Sequence, residues 1–163
     1  PKKRHILISN FFEKLNFFLL LISFIDRYFI IMNIKSSKEL VDEANKSIKV
    51  LSPEEVKTAY EKGEVTLIDV RDIRELWKEG TIKDAIHIPR GMLEFWLDPQ
   101  SAYHQEKKIG QLKNIVLYCA LGFRSALATK SLKDMGFKNV SNASGGFDSL
   151  KKAGLPVVFK EKK

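Results

Sequence analysis

The stretch that decides the fold lies in the second half of the chain and reads Asn114-Ile115-Val116-Leu117-Tyr118-Cys119-Ala120-Leu121-Gly122-Phe123-Arg124-Ser125. Its first five residues form the most hydrophobic strand candidate of the chain, and a short apolar run of this kind is typical of a fully buried strand. A helix is predicted from Arg124 to Met135, where Gly136 ends it. Cys119 is therefore expected at the carboxyl end of a buried strand, in a tight loop that leads into a helix.

Predicted strands and helices alternate along the rest of the chain. Ser52-Pro53-Glu54-Glu55 is a strong helix start, because it combines a serine cap, a proline in the first turn and a glutamate that closes a capping box. Further strands are predicted at residues 48–51, 65–70 and 85–88 and from residue 140 onward. This order predicts an α/β fold with a mainly parallel sheet of about five strands and helices on both faces.

Ligands of such folds bind beyond the carboxyl ends of the strands, where Asp69 and Cys119 are both expected. A tight loop that enters a helix directs several backbone N–H groups at one point, and the helix dipole adds partial positive charge. This environment favours an anion, so it predicts a thiolate on Cys119. The alternative is an inert buried cysteine, which is what most lone cysteines are.

Four motifs, in the right order, resemble those of the rhodanese-like domain. The resemblance covers residues 50–158 of a predicted domain at residues 32–163. Its motifs are Asp69-Val70-Arg71, Glu75 with the run Gly80–Pro89, the active loop Cys119–Arg124, and Gly145-Gly146-Phe147 with Leu150. The second motif departs from the family where this chain has Thr81 and Asp84 instead of His and Gly. These positions are remote from the cysteine in sequence, so we expect altered loop packing.

The resemblance implies a sulfurtransferase. Such an enzyme moves a sulfane sulfur from a donor such as thiosulfate to a thiol, cyanide or protein acceptor through a persulfide on Cys119, and it needs no cofactor. Arg124 either binds the anionic group of the donor or braces the loop. Asp69 and Arg71 are expected to support the site as an ion pair that orients the strand-end turn. The residues expected to hold the anion are Ala120, Leu121, Gly122, Phe123, Arg124 and Ser125.

Two other functions stay open. One is a sulfur-delivery or regulatory module that carries a persulfide with little turnover of its own. The other is a cysteine-dependent phosphatase or arsenate reductase. Four residues separate Cys119 from Arg124, whereas the related dual-specificity phosphatases have five. The smaller loop favours sulfur over phosphate.

Composition excludes several classes of protein. A single cysteine rules out an internal disulfide. The three histidines, His5, His87 and His104, are far apart and have no cysteine cluster, so no metal site is predicted. The net charge of +8 is concentrated at the two ends of the chain without interleaved aromatic residues, so no nucleic-acid partner is predicted.

The first 31 residues differ in kind from the rest, because they hold six of the eleven phenylalanines and no Gly, Ala or Val. The apolar stretch from Leu15 to Ile25 is too short for a bilayer span, which needs about 20 residues. The favoured interpretation is upstream sequence translated in frame, with Met32 as the true start and a cytoplasmic location. A signal peptide or a membrane anchor is the alternative, and then the protein would be exported or anchored.

Overall fold

The computed structural model describes residues 15–25, 27, 34–110 and 112–161. The chain divides into two units, residues 1–36 and residues 37–163. In the first unit, residues 15–25 lie in helix α1 and expose their apolar side chains. No helix within the described ranges is long and apolar enough to cross a membrane. The predicted boundary at Met32 lies outside the described residues.

The second unit is built on a parallel sheet of five strands. The strands of this unit are β1 Lys49–Leu51, β2 Val65–Asp69, β3 Thr81–Ile82, β4 Ile86–His87, β5 Asn114–Tyr118, β6 Val140–Ala143 and β7 Val157–Val158. The parallel sheet has the order β1-β6-β5-β2-β4, with β5 in the centre. The short strands β3 and β7 form a separate antiparallel pair. The prediction of a mainly parallel sheet of about five strands is confirmed.

Helices cover both faces of this sheet, as predicted. Side chains alternate along β5, so that Ile115 and Leu117 belong to one buried cluster while Val116 and Tyr118 belong to the other. The helices of the second unit are α2 Ser37–Ser47, α3 Pro53–Glu61, α4 Ile73–Glu79, α5 Leu93–Leu97, α6 Glu106–Ile109, α7 Phe123–Asp134 and α8 Gly146–Lys152, with a 3-10 turn at Arg90–Met92.

Two helix starts carry capping boxes that the local sequence explains. Ser52 accepts a hydrogen bond from the backbone N–H of Glu55, whose carboxylate accepts one in return from the Ser52 N–H. Asp72 and Glu75 make the same reciprocal arrangement at the start of α4. The second box places Glu75 in the first turn of α4, at the carboxyl edge of the sheet.

Some predicted boundaries differ from the structure by one or two residues, and one strand pair was missed. The strand predicted at residues 85–88 contains only Ile86 and His87. The β3–β7 pair was not predicted, because strands of two residues show no periodicity. Helix α7 begins at Phe123, one residue earlier than expected. Its cap is Gly122, whose φ of 92° lies in the left-handed region that favours glycine.

Candidate active site

Cys119 directly follows the central strand β5 and is buried, with 1% of its surface exposed. Two hydrogen-bond donors face its sulfur. The backbone N–H of Gly122 lies 3.2 Å from Sγ, and the hydroxyl of Ser125 lies 3.5 Å from it. Burial by itself also fits an inert cysteine. The two donors directed at Sγ set this cysteine apart, because they stabilise negative charge on sulfur.

The residues of the predicted active loop take two positions. Gly122 and Ser125 are buried against the cysteine, and Ala120 is half-buried. Leu121, Phe123 and Arg124 are exposed. The structure therefore brings Gly122 and Ser125 to the sulfur. The larger side chains of the loop lie at the surface, and among them Arg124 also interacts with Cys119.

Arg124 forms a bidentate ion pair with Glu75. Its two terminal nitrogens lie 2.7 and 2.8 Å from the two carboxylate oxygens. These hydrogen bonds lower the pKa of Glu75 below its ordinary value of 4.5 and raise the pKa of Arg124. The contact links the start of α7 to the start of α4, which matches the bracing role. The donor-binding role stays a prediction.

The ion pair between Arg124 and Glu75 predicts a pH dependence of stability. Since the folded-state pKa of Glu75 is lowered, the pair stabilises the fold above pH 4.5, and this contribution is lost as the pH falls through the folded-state value. The pair is half exposed, so we expect about 1 kcal/mol or less. Urea unfolding of the wild type and of Glu75→Gln between pH 3 and pH 7 measures it. A difference in unfolding free energy that does not shrink towards pH 3 would contradict this assignment.

Below the loop, Asp69 and Arg71 form a fully buried ion pair. The Arg71 guanidinium donates to Asp69 at 2.8–3.2 Å and to the carbonyl of Gly80 at 2.6 Å. It also stacks on the ring of Phe147, 3.9 Å from the ring centre. Burial lowers the pKa of Arg71, but the hydrogen bonds and charge of Asp69 outweigh this and raise it overall. The contacts of Arg71 therefore connect the end of β2 to Gly80 and to the start of α8.

Thr81 connects this pair to the central strand. Its hydroxyl donates to Asp69 Oδ2 at 2.9 Å and lies 2.8 Å from the hydroxyl of Tyr118. Burial, and next the charge of Asp69, raise the pKa of Tyr118. Tyr118 precedes Cys119, so the network fixes the end of β5 from which the loop departs. The sequence could not reveal this role, because Thr81 stands 37 positions from Tyr118.

Backbone contacts hold the other side of the loop. The N–H of Phe147 donates to the carbonyl of Cys119 at 2.7 Å, and the N–H of Asp148 donates to the carbonyl of Ala120 at 3.3 Å. The side chain of Asn142 donates to the carbonyl of Gly122 at 3.2 Å. Asn142 was not predicted, since nothing in its local sequence distinguishes it from other strand residues.

The arrangement can hold an anion on one sulfur atom. Its negative charge would meet Gly122 N–H, the Ser125 hydroxyl and the amino-terminal end of α7. Within the described ranges, no three His, Cys, Asp or Glu side chains are grouped to hold a metal ion.

Comparisons with known proteins agree with the geometry. The model of the rhodanese-like domain matches residues 52–153. A sulfurtransferase of Allochromatium vinosum is 30% identical over 98 residues, which cover 60% of this chain and 82% of that protein. A tRNA uridine(34) hydroxylase of Photorhabdus laumondii is 31% identical over 121 residues, 72% of this chain. The match spans only 33% of the length of that hydroxylase.

Among solved structures, a protein of Rhodopseudomonas palustris described as a possible tyrosine phosphatase is 41% identical, with a TM-score of 0.71. The match covers 76% of this chain and 95% of that one. The family match spans well over half of the chain and includes the cysteine loop, the buried ion pair and the start of α8. This chain belongs to the family of rhodanese-like domains, with a sulfurtransferase among its relatives.

Proposed function

We propose that this protein transfers sulfane sulfur from a donor such as thiosulfate to a thiophilic acceptor through a persulfide on Cys119. The observation that carries the proposal is the pair of donors at Sγ, at 3.2 Å from Gly122 N–H and 3.5 Å from the Ser125 hydroxyl. Cys119, Gly122 and Ser125 are the residues that touch the reacting sulfur. Their roles rest on this geometry and on the family resemblance.

In the first step, the thiolate of Cys119 attacks the outer sulfur of thiosulfate. A bond forms between Sγ and that sulfur, the S–S bond of the donor breaks, and its electron pair leaves with sulfite. The product is an anionic persulfide. The N–H of Gly122 and the amino-terminal end of α7 stabilise both the thiolate and the persulfide.

In the second step, a thiol, cyanide or protein nucleophile attacks the outer sulfur of the persulfide. The new bond takes the sulfur to the acceptor, and the electron pair of the broken S–S bond returns to Cys119 as thiolate. This is a two-step exchange with a covalent intermediate. It needs no cofactor and no net oxidant. The cytoplasmic location predicted from the sequence stays a prediction.

Mass spectrometry tests the covalent intermediate. After treatment of the intact protein with millimolar thiosulfate, we expect a mass increase of one sulfur atom. Cys119 is the only cysteine of the chain, so one peptide must carry the added sulfur. Cyanide should then remove it as thiocyanate.

Cys119→Ser is the control, since it replaces the nucleophile and keeps the size of the side chain nearly unchanged. We expect no added sulfur and a loss of thiocyanate formation to the uncatalysed rate. An unmodified wild type, or equal labelling of the serine variant, would refute the persulfide mechanism. Circular dichroism of both proteins shows whether the fold is retained.

A phosphatase is the second candidate, because the Rhodopseudomonas palustris relative is described as a possible tyrosine phosphatase. The same thiolate would then attack phosphorus. The loop offers four residues between Cys119 and Arg124, and Arg124 is engaged by Glu75. Both features favour sulfur transfer. Release of nitrophenolate from para-nitrophenyl phosphate, lost in Cys119→Ser, would favour the phosphatase instead. Persulfide formation with slow turnover would favour a sulfur-delivery module.

A further inference from the structure

Asn142 is a polar side chain buried inside the parallel sheet. It lies near the carboxyl end of β6 and is 3% exposed. In the register of the sheet it stands between Val50 of β1 and Leu117 of β5. Side chains alternate along a strand, so Asn142 points to the same face as Val140, which belongs to the apolar cluster that contains Cys119. An amide group is therefore buried on the face of the sheet that carries the cysteine.

Only one end of this amide is paired with a group from the described part of the chain. Nδ2 of Asn142 donates to the carbonyl of Gly122 at 3.2 Å, whereas Oδ1 is buried and receives no hydrogen bond from these residues. The Gly122 carbonyl fixes this orientation, because turning the amide over would bring two acceptors together. A buried acceptor without a donor lowers the stability of the fold. Natural proteins retain such local costs chiefly where function requires them.

The partner of Asn142 is the residue whose backbone faces the sulfur. The N–H of Gly122 lies 3.2 Å from Sγ, and its φ of 92° lies in the left-handed region. Glycine changes its backbone angles easily, so the direction of this N–H depends on the contacts that hold the residue. The Gly122 carbonyl accepts from the N–H of Ala126 in α7 at 3.1 Å and from Asn142 in β6. The bond from Asn142 therefore ties the glycine to the sheet.

We propose that Asn142 is a positioning residue for the sulfur chemistry, because its bond to the Gly122 carbonyl holds the Gly122 N–H on the sulfur of Cys119. This rests on the proposed sulfur transfer and adds a residue outside the loop on which that transfer depends. A donor held in place stabilises negative charge on sulfur without reorganisation during the reaction. The protein thus retains a buried amide that lowers stability and raises reactivity.

Asn142→Leu tests the proposal on the full chain, since leucine has nearly the shape of asparagine but makes no hydrogen bond. Alkylation of Cys119 by iodoacetamide, which is uncharged, measures the reactivity of the sulfur without a sulfur donor. At pH 7 we expect the rate to fall about fivefold, because the negative charge on sulfur loses an aligned donor. At pH 10, where a thiolate forms without help, the rate should stay within about twofold of the wild type. A loosened structure would instead expose the sulfur and raise both rates.

Two further measurements separate positioning from a purely structural role. The urea midpoint of Asn142→Leu should equal or exceed that of the wild type, because the buried acceptor without a donor is removed. Hydrogen exchange followed by NMR should show the Gly122 amide exchanging about tenfold faster. An asparagine that served stability alone would give a lower midpoint and an unchanged ratio of the alkylation rates at pH 7 and pH 10.

Ser141→Ala is the matched control. It also removes a buried polar group from β6, but Ser141 stands on the opposite face of the sheet. Its alkylation rates and its Gly122 exchange should equal those of the wild type. If Asn142→Leu does not fold, Asn142→Val repeats the test, since valine also makes no side-chain hydrogen bond and favours strands.

The results distinguish this inference from the proposed function, because alkylation does not depend on sulfur transfer. An unchanged alkylation ratio in the Asn142 variant would overturn the positioning role, even in a protein that forms the persulfide. If the ratio falls as expected but the wild type takes up no sulfur from thiosulfate, the proposed function is wrong and the positioning role stands. Where both hold, persulfide formation from thiosulfate at pH 7 should slow by the same factor of about five.

Discussion

Replacing Arg71 by methionine is expected to lower the free energy of unfolding by about 3–5 kcal/mol, because it leaves a buried carboxylate without its partner. Asp69 and Arg71 are both 0% exposed. The Arg71 side chain supplies three of the hydrogen bonds to the Asp69 carboxylate, at 2.8–3.2 Å, and it also donates to the carbonyl of Gly80. Methionine fills a similar length but donates no hydrogen bond. Urea unfolding at pH 7 measures the effect.

Two further variants test whether the unpaired buried carboxylate causes the loss of stability in Arg71→Met. Arg74→Met removes a guanidinium that also pairs with a nearby aspartate, Asp72, but its side chain is 80% exposed. That variant should lose much less stability than Arg71→Met, because water screens the exposed pair. Asp69→Asn/Arg71→Met removes both charges and should recover part of the loss, since Thr81 can still donate to the amide oxygen. Equal destabilisation by Arg71→Met and Arg74→Met would show that the buried charge is not the cause.

The fold could be predicted from the sequence because its strongest signals are local. The run 114–118 is apolar throughout, and the start of α3 is a capping box within four residues. The ion pair of Asp69 and Arg71 was also within reach, since the two residues stand two positions apart at a strand end. Because strands and helices alternate along the chain, only a few topologies are possible. These parts of the architecture could be predicted because each depends on residues that are close together in the sequence.

The contacts that shape the site span greater distances along the chain. Arg124 and Glu75 stand 49 positions apart, and neither local pattern shows that they pair. Arg90 binds Glu94 at 2.8 Å and also donates to Ser131, which stands 41 positions away. Long side chains find partners that only the packed structure defines. The sequence could therefore name candidate residues but not their pairing.

Thr81 illustrates the same limit. It departs from the family pattern, and its distance in sequence from Cys119 suggested an effect on loop packing alone. In the structure it binds both Asp69 and Tyr118, the residue before the cysteine. The departure therefore lies within the network that supports the site. Asp69 and Tyr118 lie side by side at the carboxyl ends of the paired strands β2 and β5, and Thr81 reaches both of them from the separate β3–β7 pair.

Gly146→Ala is expected to reduce persulfide formation about 100-fold, because it displaces the backbone that carries Cys119. A Cβ at position 146 would lie 2.6 Å from the carbonyl oxygen of Ala120 and even closer to that of Cys119. These are backbone atoms of the active loop, so they can move only together with it. The φ of 58° adds a cost of about 1 kcal/mol for any residue with a Cβ.

Gly110→Ala separates the steric contact of a Cβ from the cost of a positive φ. Gly110 has nearly the same φ, 59°, but a Cβ there would meet nothing within 4 Å. It should lose about 1–3 kcal/mol of stability through its backbone conformation alone, since φ 59° and ψ −153° lie in a region that essentially only glycine adopts, and it should retain wild-type persulfide formation. The comparison uses urea unfolding for stability and single-turnover mass spectrometry with thiosulfate for chemistry. Because the Phe147 N–H bonds to the carbonyl of Cys119 at 2.7 Å, displacement of α8 must also move the cysteine. Equal persulfide formation in the two variants would mean that the approach of Gly146 does not position the sulfur.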